Sequence, residues 1–600
     1  MFGKKTKGIF FLLGIFFITD QFALASDNTI NLEPIVIRKE EAVLTQNYSL
    51  KSSDIDNLTF NSPIEALNNL PVDLQSRSPK GGIQTDFSLR GSNFQGVLIL
   101  LDGQRINDPQ TGHFNSDLPQ TKEDIEKIEV MPGVGSSLFG PDAIGGAINF
   151  VTKPPDKPKM VLELSGGQYS SHSEMFSVTE RSDSAGLRVS IENDASSGFR
   201  YDTEFKKFTA ALNSRINFSE HEFKINLGYQ DKEFGAYDFY TPGMGFPSQE
   251  QTRTWLIDSG FKLDALGMII KPNFLWRRHD DKFMLDKTQT RSRYLNHHRN
   301  DIFTPNVYFQ KDTGFLGRLG LGFEYGREQI KSTNLGKHAR NHGSIFMDDL
   351  KEINSKVSLS FSGRLDNFDS FGSNGTGSGA LKFNLTPRDA LHLGVSRSIR
   401  IPTFTELYYS DPTSVGNPNL SADKALNYET GYEYKKDGVS FSLTGFLRQE
   451  DDFMDWVKHS PAQLRWRAEN IAGAQLWGLE TNFKLKLNSF FTASSSYTYI
   501  DRQADDSGLL YKYGPTYSKH MANAALIFDL PLFTQSFSLN YKKKPGRGGW
   551  LTLNTHLSYN FYKYAQVFVE VDNMLSKEYE EIPGIPQPKR WVEGGVRFEW

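Results

Sequence analysis

Leu551-Thr552-Leu553-Asn554-Thr555-His556-Leu557-Ser558-Tyr559-Asn560-Phe561 places an apolar or aromatic side chain at nearly every second position and a small polar one between. A period of two is the signature of a β-strand with two unlike faces. The same pattern recurs in Phe223-Lys224-Ile225-Asn226-Leu227-Gly228-Tyr229-Gln230, in Val357-Ser358-Leu359-Ser360-Phe361 and in Leu391-His392-Leu393-Gly394-Val395. In a soluble sandwich the apolar face would meet a second sheet. In a membrane barrel it would meet lipid, with the polar face toward a wet lumen. Periodicity alone leaves both open.

The rest of the chain favours the barrel. Lys4, Lys5 and Lys7 precede an apolar run from Ile9 to Ile18, and Ala23-Leu24-Ala25 is a small-residue cleavage site before Ser26. This predicts a secretory signal peptide over residues 1–25. The run is about half the ~20 residues a spanning helix needs, which argues against an anchor. Cysteine is absent from the 600 residues, so an exported chain has no disulfides or thiolate metal sites to hold it. No later apolar run is long enough for a membrane helix, yet aromatics make up 13% of the chain and Gly numbers 51. The 67 Lys and Arg against 71 Asp and Glu are close to balance, which points away from nucleic acid. At the C-terminus Gly595, Phe598 and Trp600 form an aromatic-ended strand of the kind recognised when outer-membrane barrels are inserted. Residues 156–600 are therefore read as an antiparallel transmembrane β-barrel in the outer membrane, in contact with its lipid. At roughly 20 residues per strand and connection it would hold about twenty-two strands. So wide a barrel would leak unless its lumen were filled.

Residues 45–155 read as that filling. Ser62-Pro63-Ile64-Glu65 is a helix start with Ser as cap, and Pro71 stops the helix. Short strands are expected at Phe87–Arg90, Val97–Leu101, Ile125–Met131 and Ala147–Thr152, joined by Gly-rich turns. This is a compact α+β domain.

Five segments of this domain follow one another in a set order: Arg90-Gly91, Leu101-Asp102-Gly103, Ile128-Glu129-Val130, Leu138-Phe139-Gly140 and Gly145-Gly146-Ala147-Ile148-Asn149. That order resembles the plug of the TonB-dependent outer-membrane receptors and transporters. Pro402-Thr403-Phe404-Thr405-Glu406-Leu407-Tyr408, Gly416-Asn417-Pro418-Asn419-Leu420 and Val571-Asp572-Asn573-Met574 resemble barrel segments of the same family. The length and the plug wording are most like the cobalamin branch. One departure stands out. Where the family usually has Arg-Gly after the Ile-Glu-Val strand, this chain has Met131-Pro132-Gly133. The resemblance implies a plug–barrel lock at Arg90, Gly91 and Glu129, with Arg90 carrying the ion pair that the missing Arg would share.

It also implies import of a small metal chelate, driven from the inner membrane through a TonB protein. The segment 26–44 would supply the TonB box, Leu32, Glu33, Pro34, Ile35, Val36 and Ile37, followed by a charged linker. A β-prone exposed strand of this kind can pair with the edge of a partner's sheet, and Pro34 is tolerable on such an edge. Two plug loops are the expected ligand contacts. The first holds Ser76, Arg77, Ser78, Lys80 and Gln84; the second holds Asn107, Asp108, Gln110, Thr111, His113 and Asn115. Arg77 and Lys80 would suit an anionic ligand. A cobalamin-like ligand is expected first and a ferric siderophore second. Haem is disfavoured because no His lies between Pro402 and Asn417 to serve as axial ligand. Calcium-ordered loops occur in the cobalamin branch. Asp194 and Asp202 are weak candidates for such an ion, and no other cofactor is expected. The His279-Asp280-Asp281 run and the His297-His298 pair read as an outer loop. No nucleophile elbow, His-Glu-x-x-His or phosphate loop marks an enzyme. A barrel enzyme or adhesin remains the alternative class, and either would need assembly by the barrel assembly machinery as well.

Overall fold

The computed structural model describes residues 44–600, apart from 56, 59–61, 79, 241–242, 290–294, 472, 505–507 and 514–516. The expected signal peptide and the segment Leu32–Ile37 lie outside the described residues.

Twenty-two antiparallel strands close into one barrel. The first, Lys159–Gly167, pairs with the last, Trp591–Glu599, placing Leu162 opposite Phe598 and Ser165 opposite Gly595. Closure satisfies every strand edge internally, which a sheet in lipid requires. Gly595 permits the final pairing, because a β-carbon there would lie 2.5 Å from the Phe568 ring.

The side-chain distribution separates the barrel from the sandwich. Phe323, Ile345, Phe361, Leu393, Leu479 and Leu557 are exposed on the outer wall, while Lys224, Asn226, Asp258, Arg277, His279 and His392 are buried toward the lumen. A soluble protein buries the first kind and exposes the second. An outer apolar band over a polar interior is what a lipid-facing barrel needs. Among the described residues no helix is long and apolar enough to cross a membrane.

Inside the barrel sit seven short strands: β1 (Tyr48–Lys51), β2 (Asp73–Ser76), β3 (Thr85–Ser88), β4 (Val97–Leu101), β5 (Gln104–Arg105), β6 (Ile125–Pro132) and β7 (Gly146–Thr152). Five form a sheet in the order β1-β6-β7-β4-β5, with β4 and β7 parallel, and β2 pairs with β3. Val97, Ile99, Leu101, Ile128, Val130, Ile148 and Phe150 make its core with Leu67 of the short helical segment. The Ser62 hydroxyl caps the helix Pro63–Ala66 by accepting from the Glu65 amide. Glu65 in turn accepts from the Gly81 amide at 2.6 Å, which ties the helix to the first expected ligand loop.

One barrel rim has tight turns such as Leu266–Gly267 and Asp437–Gly438; the other carries the longer loops. There a four-stranded sheet assembles from Ser414–Val415, Trp466–Ile471, Phe453–Lys458 and Leu510–Tyr511. Strands of two to six residues drawn from separate loops leave no periodic signal, and the sequence reading missed this sheet.

Candidate functional site

At the level of the long loops, the plug presents Phe94 stacked on His113 with ring centroids 4.2 Å apart. Tyr513 stands edge-on to both, at 5.4 Å and 6.0 Å, and Tyr240 lies 5.9 Å from His113. The Lys512 ammonium sits 5.4 Å from the Trp456 ring centre and 5.3 Å from that of Tyr513. It donates to the Ser414 hydroxyl, and no carboxylate pairs with it among the described residues. His113 Nδ1 meets Asp86 Oδ1 at 2.7 Å, and Arg77 Nη1 donates to Asp86 Oδ2 at 2.9 Å. Burial alone would raise the Asp86 carboxyl, but Arg77 and His113 outweigh it and hold it at about 2. Burial pushes the His113 ring below its usual range despite Asp86, with Arg77 adding to the effect.

Most of the expected ligand donors hold the plug together or to the wall instead. Arg77 is neutralised by Asp86 and also donates to the Phe239 carbonyl at 3.1 Å. Lys80 lies among three barrel carboxylates, Asp572 at 2.6 Å, Glu593 at 3.2 Å and Glu570 at 3.8 Å. The expectation that these two cations wait for an anionic ligand is therefore corrected: a buried charge needs a fixed partner, and theirs are supplied by the protein. Ser76 bonds Thr85 at 3.0 Å, Gln84 donates to the Tyr240 hydroxyl, and Ser78 is buried.

In the second loop Asn107 bonds both the Ile99 amide and the Val97 carbonyl, and Asn115 accepts from the Asp108 amide. Asp108 pairs with Arg277 at 2.8 Å; Gln110 links Asp281 and Asn300; the Thr111 hydroxyl caps the turn under His113. Of these loops' side chains, His113 joins the aromatic cluster. Phe94, Tyr240, Tyr513 and Lys512 were not anticipated, because single aromatics in loops look alike in sequence and only the fold brings these together.

Four residues before Phe94, the Arg90 guanidinium donates to Glu429 at 2.8 Å and to Glu480 at 2.8 Å and 3.1 Å, with the Phe446 ring 4.4 Å from its centre. The two carboxylates outweigh burial and keep Arg90 charged. Gly133 makes room, since a β-carbon there would stand 2.8 Å from Arg90 Nη1. Pro132 stands where the family usually has Arg, and the glycine kept beside it, Gly133, leaves the space that Arg90 occupies. Strand β1 and the backbone two residues before it reach the same two acids. Tyr48 donates its hydroxyl to Glu480 at 3.1 Å, and the Gln46 amide donates to Glu429 at 3.2 Å. Glu129, expected in the lock, is placed on the plug sheet, where it accepts from Asn149 at 2.8 Å and pairs with Lys127. Gly91 follows Arg90 in a tight turn against Leu476 and Ile500.

A family model for the TonB dependent receptor-like β-barrel matches residues 161–574, and a TonB-dependent receptor plug domain model matches residues 39–147. The chain belongs to the TonB-dependent receptors. It is an outer-membrane receptor and transporter, of a family whose members bind and move small ligands. Among its relatives, the vitamin B12 transporter BtuB of Photobacterium profundum is 25% identical over 480 residues, covering 76% of this receptor and 75% of that protein. The iron-regulated outer membrane virulence protein of Vibrio cholerae is 26% identical, covering 98% of each chain. Solved structures with the same fold include the siderophore receptor PirA of Acinetobacter baumannii, with TM-score 0.77 at 15% identity over 92% of this receptor and 98% of that chain. The FrpB iron transporter of Neisseria meningitidis also gives TM-score 0.77 at 15% identity, over 93% and 99%.

One further sequence expectation is revised in the receptor, the placement of the His279-Asp280-Asp281 run and the His297-His298 pair. The two calcium candidates have lysine neighbours: Asp194 pairs with Lys207 at 2.6 Å beside Glu192, and Asp202 is bonded by Lys287. Among the described residues no group of three or more acidic or His side chains is placed to hold a metal. His279, Asp280, Asp281, His297 and His298 are on barrel strands, not in an outer loop. His279 is buried between Asp108 and Asp117 at 3.3 Å and 3.0 Å.

Proposed function

We propose that the receptor captures an anionic, aromatic iron chelate of the siderophore class and releases it inward when its N-terminal segment is pulled. The observation that carries the ligand class is the Phe94–His113–Tyr513–Tyr240 cluster with Lys512 beside it. Flat rings offer stacking faces, and an ammonium lacking a carboxylate partner offers the charge such a chelate requires. The relatives named as vitamin B12 transporters support a second reading, a cobalamin-like ligand. Titration of the purified full-length protein with ferric catecholate chelates, cobalamin and haem, read by Trp and Tyr fluorescence, tests both. The expected result is saturable binding of a ferric catecholate, weakened at least 10-fold by Phe94→Ala or Lys512→Ala. Saturable binding of cobalamin alone would replace the first reading with the second, and binding of haem alone would overturn both.

For the energy input we propose that Leu32–Ile37 adds as a strand to the TonB protein. Force on this segment reaches strand β1 first. Peeling β1 from β6 also withdraws Tyr48 and Gln46 from the acids that hold Arg90. Deletion of residues 32–37 is expected to abolish energised uptake and leave ligand binding intact; unchanged uptake would refute this route.

A further inference from the structure

On the outer wall near the long-loop rim, neighbouring strands carry a band of charge on the rim side of an aromatic belt. The belt is Tyr229, Trp255, Trp276 and Phe303, with Tyr229 and Trp255 rings 5.5 Å apart and Phe274 and Phe303 5.1 Å apart. Such girdles mark the interface depth of a membrane barrel. Toward the rim, two residues beyond Trp255 and four beyond Trp276 and Phe303, about 7 Å and about 13 Å along the strands, Arg253 lies opposite Asp280 and Asp280 opposite Arg299. Arg299 in turn lies opposite Lys331, and Lys282 opposite His297.

Three of the cations in this band are already neutralised on the wall. Arg253 pairs with Asp231 at 2.9 Å, Arg278 with Asp301 at 2.8 Å and Arg299 with Asp280 at 2.6 Å. Lys282 and Lys331 have no ion pair among the described residues, and both line a groove of about 530 Å³ with His297 between them. Unlike the lumen, where Lys80, Lys224 and Lys232 are each matched by a carboxylate, this wall leaves its positive charge uncompensated.

We infer that this groove binds the phosphorylated headgroup of an outer-leaflet lipid. A lipid whose acyl chains lie on Trp276 and Phe303 would extend its headgroup toward the rim, where Lys331 stands level with Arg299, four residues beyond Phe303, and Lys282 six residues beyond Trp276. A free anion has no use for the aromatic belt, and the belt is the reason to assign the site to lipid. Basic residues at interface depth gain from anionic headgroups through charge and through hydrogen bonding to phosphate oxygens. The paired Arg residues would hold the groove's shape, and the two lysines would supply the binding charge. This site is independent of the ligand chamber.

Native mass spectrometry of the intact, detergent-solubilised protein tests the inference with three probes: a diphosphorylated glucosamine lipid, its dephosphorylated form and inorganic phosphate. One retained copy of the phosphorylated lipid is expected, with at least 10-fold weaker retention of the dephosphorylated form. A Lys282→Ala, Lys331→Ala double variant should lose the lipid at least 10-fold. Lys282→Arg with Lys331→Arg should keep it, as should Lys435→Ala on the opposite rim. Equal retention of the two lipids by the wild-type protein would overturn the proposal whatever the variants do. So would displacement of the lipid by inorganic phosphate at equal concentration, or undiminished binding by a double variant that still shows the folded barrel's resistance to detergent unfolding.

Discussion

Arg90 sits in the left-handed backbone region, with φ 46°, and is followed by Gly91 at φ 71°. A non-glycine residue there is strained by roughly 1 kcal/mol, and the strain is held by three charge-assisted hydrogen bonds to Glu429 and Glu480. Removing one partner of a buried ion cluster costs about 3–5 kcal/mol, because the remaining charges lose compensation. Arg90→Ala should therefore loosen the plug by that order, seen as faster amide exchange across Tyr48–Lys51. Adding Glu429→Gln and Glu480→Gln should recover most of the loss. Asp86 supplies a pH prediction at the same scale. Its folded value of about 2 lies below the ordinary 3.8, so the folded state binds fewer protons than the unfolded one. The stabilisation, about 2 kcal/mol, is full above about pH 4 and is lost as pH falls toward about 2. Urea unfolding of the plug at stepped pH should show wild-type protein losing this increment over that window, and Asp86→Asn lacking it.

Among the elements, the short helix Phe404–Tyr408 joins an outer loop to the plug. Thr403 and Glu406 form a capping box at its start, and Glu406 also accepts from Arg400 at 2.9 Å and 3.0 Å. The backbone amides of Phe404 and Thr405 then donate to Pro109 and Gln110 of the second plug loop, at 2.9 Å and 3.1 Å. Unsatisfied amides at the helix start are here satisfied by the plug itself. Thr403→Ala should cost about 1 kcal/mol of local stability and raise exchange at both the helix and residues 107–111. Strand β1 is the corresponding link on the inner side. Pulling from a handle at its N-terminal end should release it at lower force in Tyr48→Phe, which keeps the ring and deletes the bond to Glu480. An unchanged release force would show that the β1–β6 ladder alone bears the load.

At the scale of the whole molecule, barrel closure depends on a position with no side chain. Gly595→Leu would drive side-chain atoms into the Phe568 ring and the Leu164 carbonyl, both 2.5 Å from the β-carbon position. The expected outcome is a sharp fall in folded barrel, read as lost resistance to unfolding in detergent. Trp600→Ala removes only the stacking on Phe598, whose ring centre lies 5.8 Å away, and should slow assembly with little effect on the finished barrel. The barrel was legible in the chain because its code is local: each strand declares its two faces over roughly ten residues, as Leu551–Phe561 does. Four of the seven plug strands and the Ser62 cap were legible for the same reason, whereas Tyr48–Lys51, Asp73–Ser76 and Gln104–Arg105 were not. The roles of Arg77, Lys80 and Asp108 were not. Their partners are set by contact, and Lys80 meets Glu570, Asp572 and Glu593 only once the barrel has closed around it. By itself, then, the sequence determined a plugged transmembrane barrel, since alternation, composition and turn chemistry act between near neighbours. Only the tertiary structure decided which polar groups are spent holding the plug and which gather with the aromatic rings at the long-loop end, because electrostatic pairing acts across space and takes no account of distance along the chain.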